Sequence, residues 1–173
     1  MKKLTIIMAI IILILCLNKE EKLIMPKEVI RFRVIANSNE EKDQQIKKAV
    51  VKGLNNNIKK LEFIPKDIDS SRKMIKESLP TFKEQVEKTL KELDAEEKYT
   101  INYGMNYFPE KEYKGIVYKE GEYESVVVTL GNGLGENFWC ILFPPLCLLD
   151  GKEEDKTDVE YTSFIKEIIE KYF

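Results

Sequence analysis

The sequence predicts an α+β fold: a two-layer sandwich in which a mostly antiparallel sheet carries two long helices on one face. Three observations predict it. A clean strand pattern opens the domain, two long apolar stripes at helical spacing follow, and the second half turns to alternating and β-branched segments. Helices grouped in one block, not alternating with strands, favour α+β over a parallel α/β sheet.

The chain begins MKKLTIIMAIIILILCLNKEEK, where Lys2 and Lys3 precede an apolar run from Leu4 to Leu17 and charge resumes at Lys19. A short basic region before an apolar core is the layout of a secretory signal. Fourteen residues at ~1.5 Å each span roughly 21 Å, short of the ~30 Å hydrocarbon core, which favours a signal peptide or short anchor over a spanning helix. The two lysines would stay cytoplasmic and the rest be exported. No small-residue pair follows the apolar core, and Leu15 precedes Cys16, so cleavage and retention as a membrane anchor both stay open. Residues 1–18 are read as signal or anchor, 19–27 as a polar linker and 28–150 as one domain. A charged linker (151–158) and an amphipathic helix (159–173) close the chain.

Within the domain, Ile30, Phe32 and Val34 share one strand face, while Arg31 and Arg33 point to the other with Val29 and Ile35. This alternation predicts a half-buried strand. Ser38 and Glu41 form an S-x-x-E pattern that predicts a helix start. Ile46, Ala49, Val50, Leu54, Ile58 and Leu61 supply its stripe. Asp69 or Ser70 is expected to cap the second helix, whose stripe Ile75, Leu79, Phe82, Val86, Leu90 and Leu93 runs through Pro80. Either that helix kinks at Pro80 or two helices abut there. Strands are expected over residues 100–107, over Glu122–Leu130 and within NFWCILFPPLC (Asn137–Cys147). The glycine-rich GNGLGEN between the last two lacks the G-x-G-x-x-G spacing of a dinucleotide loop and predicts a hairpin or bulge.

Composition narrows the function. Lys+Arg and Asp+Glu nearly balance at 28 and 30, a net charge of −2 that makes no electrostatic case for nucleic acid. Histidine is absent, which removes the commonest acid/base catalyst near neutral pH and the commonest zinc ligand. Cys140 and Cys147 lack zinc spacing and an activating base. Outside the cytoplasm such neighbours favour a disulfide over two buried thiols, with Pro144–Pro145 allowing the turn. No G-x-S-x-G elbow or paired-acid motif appears, and no metal or cofactor site is expected. Arg31 and Arg33 could meet a partner, but the abundance of glutamate favours a local ion pair.

IRFRVIANSN (Ile30–Asn39), the helix start EEKDQQIKKAV and YESVVVTLGNGLGENFWCILFPPLC (Tyr123–Cys147) together resemble the stage II sporulation protein R family over roughly residues 28–150. Phe138 departs from the family pattern, which implies a second tryptophan beside Trp139. The resemblance implies an exported, non-enzymatic signalling protein of endospore-forming bacteria. Such proteins are made in the forespore and cross its membrane into the space facing the mother cell. There they trigger a membrane-embedded aspartic protease, which processes a sigma-factor precursor. No catalytic residues, cofactor or small-molecule substrate are implied. Arg31, Arg33, Asn37 and Trp139 are the expected contact or supporting residues. Two readings from other classes compete. An envelope hydrolase would need a cleft with two acids, one of raised pKa. A structural module tethered to the envelope would use the C-terminal helix as an interfacial anchor.

Overall fold

The alternating segment that opens the domain forms the second strand of the protein, seen in a computed structural model that describes residues 22–60, 67–149 and 157–173. The expected leader, Leu61 and residues 151–156 of the charged linker lie outside the described residues. A two-residue strand, Leu23–Ile24 (β1), interrupts the stretch read as a linker, and Ile30–Ile35 (β2) follows. Helices Glu41–Lys60 (α1) and Ile68–Glu92 (α2) come next. Then come Tyr99–Phe108 (β3), Lys111–Tyr113 (β4), Ile116–Tyr118 (β5), Gly121–Leu130 (β6) and Asn137–Phe143 (β7). A 3-10 turn at Leu146–Leu149 precedes the last helix, Asp158–Tyr172 (α3).

The main sheet has strand order β3-β6-β2-β7, with β2 parallel to β6 and antiparallel to β7, and β3 antiparallel to β6. The α+β class and the two long helices on one face are as expected. Phe32 and Val34 of β2, with Val126 and Val128 of β6, meet Val50 and Leu54 of α1 and Phe82 and Val86 of α2. This is the larger core.

Local signals are used with small shifts. Pro80 lies inside α2 without dividing it, and the cap is Asp67, whose side chain accepts the Ser70 N–H, in place of Asp69 or Ser70. Leu93 falls just past the helix and is 45% exposed, so the stripe ends at Leu90. At the start of α1, Ser38 Oγ accepts the Glu40 N–H and donates to Asp43, so the serine hydroxyl is held by Asp43.

The other face of the sheet is also covered, which makes a third layer where the alternation predicted solvent. Phe108, Tyr123 and Ile141 pack against Met25, Val29 and Ile116, and against Tyr161 and Ile165 of α3. Ile116 belongs to a small sheet of order β1-β5-β4. Strands of two or three residues carry almost no period-two signal, so this layer is not readable from pattern. The apolar side of α3 is spent on the domain, with Tyr172 and Phe173 also set edge-on against Phe143. That use argues against α3 as an interfacial anchor.

The glycine-rich loop corrects a second expectation. It closes no hairpin, because β2 lies between β6 and β7. It is a strap that crosses the C-terminal end of β2 at backbone contact. The Gly135 N–H donates to the Ala36 carbonyl at 2.9 Å and the Leu134 N–H to the Asn37 carbonyl at 3.0 Å. A Cβ at position 135 would stand 2.2 Å from the Ser38 carbonyl oxygen. Gly131 has φ +53°, the left-handed region that favours glycine.

Candidate functional site

The odd-numbered side chains of β2 project away from the long helices, and β7 sits beside them in antiparallel register. Arg31 therefore stands opposite Ile141, and Arg33 opposite Trp139. On the other flank Arg31 is paired with Ser125 and Arg33 with Val127 of β6. This register collects three of the expected contact residues, Arg31, Arg33 and Trp139, on one sheet face.

Aromatic rings receive the guanidinium groups. The Arg31 guanidinium carbon lies 4.1 Å from the Phe108 ring centre, 4.8 Å from that of Tyr123 and 5.2 Å from that of Trp139. Arg33 stands 4.8 Å from the same Phe108 ring. Phe108 and Trp139 themselves meet edge-on at 5.1 Å. Cation–π contacts contribute up to about 2 kcal/mol when desolvated, but they do not replace hydrogen bonds to the N–H donors. One N–H group of Arg31 is left over: the residue is 3% exposed, and its Nη1 has no hydrogen-bond partner among the described residues. Arg33 Nε is likewise buried and unpartnered.

The predicted ion pair with glutamate is not formed among the described residues: no carboxylate there pairs with Arg31 or Arg33. Strand parity is the reason. Glu124 binds Arg72 of α2 at 2.9 Å and accepts from the Tyr103 hydroxyl, on the face opposite Arg31. A one-residue offset along a strand changes the face a side chain occupies. Burial lowers the Arg31 pKa to about 10, a drop opposed by Tyr123 and Tyr118 and deepened by Arg33. Burial also lowers that of Arg33. Arg31 remains a cation at neutral pH, in surroundings where an uncompensated charge is costly.

Beside this cation is a cavity of about 300 Å³, lined by Arg31, Trp139, Ile141, Tyr118, Tyr161 and Asn137 among others. Asn137 Oδ1 is another buried polar atom without a partner among the described residues. Lys111 lies on the same wall and is exposed, its ammonium 5.7 Å from the Trp139 ring centre. Cys140 also lines the cavity and is bonded to Cys147, with Cα atoms 5.5 Å apart across the Pro144–Pro145 turn. The disulfide expected from the sequence thus braces one wall.

Asn37 is not in this cluster. Its Oδ1 accepts the Asn132 N–H at 2.9 Å and its Nδ2 donates to Asp43 at 2.9 Å, so it pins the strap to the start of α1. Lys47 adds a bond from Nζ to the Glu136 carbonyl at 3.0 Å. The hydrogen bond from Ser38, with that from Asn37, holds the Asp43 carboxyl below its usual range. Glu97 next to it is pushed up, first by burial and then by its contact with Asp43. This is an acid pair with divergent pKa values, but neither carboxyl lines the aromatic cavity and Asp43 is committed to the strap. Sequence reasoning missed Phe108, Tyr118, Tyr161 and Asn137. Tyr118 and Tyr161 sit in segments whose placement over the sheet has no local signal.

A family model described as stage II sporulation protein R matches residues 26–153, most of the chain. The chain belongs to that family. The matched region holds every strand but β1, both long helices and all the expected site residues, and it stops short of α3. Among relatives, stage II sporulation protein R of Bacillus subtilis (strain 168) is 37% identical over 133 residues, which cover 77% of this chain. The chain spans 59% of the length of that relative. No solved structure matches the chain.

Proposed function

We propose that this member of the stage II sporulation protein R family is an exported signal of endospore formation that acts by protein contact, not by catalysis. It is made in the forespore and carried across the forespore membrane by its N-terminal segment, which stays on as an anchor if uncleaved. In the intermembrane space it activates a membrane-embedded aspartic protease of the mother cell, and that protease processes a sigma-factor precursor. The observation that carries this reading is the family match over residues 26–153. The site adds support, because arginine, tryptophan and tyrosine around a pocket are the residue types on which protein contacts concentrate their energy. Binding activates only through a higher affinity for the active state of the protease than for its resting state. Arg31, Arg33 and Trp139 are assigned to the contact and Asn37 to its support.

The test is reconstitution: the chain, the protease and the precursor are expressed together in a host that makes none of them. Processing that appears only when the chain is present is the expected result. Precursor cleavage unchanged by omission of the chain would overturn the proposal.

A further inference from the structure

We propose that the cavity beside Arg31 binds an acidic peptide segment, in which an internal aspartate or glutamate meets Arg31 and an adjacent apolar side chain lies against Trp139 and Ile141. Three observations specify that ligand. Aromatic rings surround the guanidinium, and its Nη1 N–H is unpaired on a residue 3% exposed. A planar two-oxygen anion is the acceptor to which a guanidinium donates best. Asn137, which lines the same cavity, carries another unpaired buried atom, the acceptor Oδ1. A ligand carrying both a carboxylate and an N–H satisfies both atoms, as a peptide does and a bare anion does not. The remaining wall, from Trp139, Ile141 and Leu146, is apolar and suits a side chain next to the acid. The exposed Lys111 adds positive charge at the wall, which favours approach of an acidic chain.

That the peptide belongs to the membrane protease rests on the signalling reading; the binding chemistry does not. Trp139 is the only tryptophan in the chain, so its fluorescence reports occupancy directly. Purified protein is titrated with the capped peptide acetyl-Leu-Glu-Phe-amide, its Gln counterpart, acetyl-Leu-Phe with a free C-terminal carboxylate, and inorganic phosphate. Saturable binding of the Glu peptide is expected, at least about tenfold tighter than the Gln peptide and tighter than the terminal carboxylate. Phosphate should not displace it at equal concentration. Arg31→Met should abolish binding. Arg31→Lys, which keeps the charge and loses the fork, should weaken it by about tenfold.

Equal binding of the Glu and Gln peptides overturns the proposal, as does displacement by phosphate, which would mean a bare-anion site. Tighter binding of the terminal carboxylate overturns the internal acid. Should Arg31→Met fail to fold, the Lys variant and the Glu/Gln pair still decide the outcome. The two readings fail separately. Loss of peptide binding in Arg31→Met with normal precursor processing removes the protease as owner of the peptide. Intact peptide binding with processing that ignores the chain removes the signalling reading alone.

Discussion

Replacing Gly135 by alanine tests the backbone strap that closes the end of β2. The added Cβ would lie 2.2 Å from the Ser38 carbonyl oxygen, 2.6 Å from its carbon and 2.8 Å from Ala36 Cβ. Two of these three contacts are with backbone, which no rotamer change can relieve. The strap must therefore lift by about 1 Å to reach ordinary contact distance. Lifting breaks the bonds from Gly135 N–H to Ala36 and from Leu134 N–H to Asn37, worth about 1 kcal/mol each. Overpacking adds roughly 1–3 kcal/mol. Gly135→Ala should thus lose about 3–5 kcal/mol, read as a lower urea midpoint by far-UV circular dichroism with an unchanged slope. Gly53→Ala is the internal contrast. There the Cβ meets Gln85 Nε2, the far end of a flexible side chain, and alanine gains about 1 kcal/mol of helix propensity over glycine. That variant should be neutral or more stable. A loss below about 1 kcal/mol for Gly135→Ala would refute the close approach as the reason for glycine.

Three further outcomes are expected. Glu97→Gln should stabilise the protein at neutral pH, because the folded state raises the Glu97 pKa and so penalises its charged form. The gain should fade as pH falls through that raised pKa, where wild-type Glu97 is protonated as well; thermal midpoints of both proteins across pH 4–8 (about that range) check the sign. Reduction of Cys140–Cys147, or replacement of both by serine, should cost about 2.5 kcal/mol by the chain-entropy argument for so short a loop; a midpoint unmoved by reductant would show that the bridge adds no stability. Ile165→Ala should lower the midpoint of the whole domain by about 2–4 kcal/mol, since Ile165 is fully buried in the second core. An unchanged domain midpoint, with only α3 lost, would show that this helix is an independent appendage.

Much of the domain was readable because its signals are local. The alternation of Ile30, Phe32 and Val34 and the stripes on α1 and α2 repeat over enough residues to identify element and face together. The family strings at Ile30–Asn39 and Tyr123–Cys147 turn out to be neighbours in space: Asn37 and Ala36 hold the strap, and Arg31 and Arg33 face Ile141 and Trp139. What failed were the ion pair and the hairpin, two inferences that needed the strand order and the sheet face of distant segments. Pairing Arg31 with a glutamate was reasonable by composition, yet composition carries no information on which sheet face the glutamates occupy.

The sequence by itself determined the α+β class, the two long helices, the cysteine pair as a candidate bridge and the family, because periodicity, spacing and specific strings are all one-dimensional properties. Only the tertiary structure decided that β2 lies between β6 and β7, that the glycine loop is a strap and that a third layer covers the arginines. Those outcomes depend on strand order and on burial, which arise when segments far apart in the chain exclude water from one another. The same burial leaves Arg31 Nη1 without a partner among the described residues, and so turns a surface-looking arginine into a buried cation on the wall of a cavity.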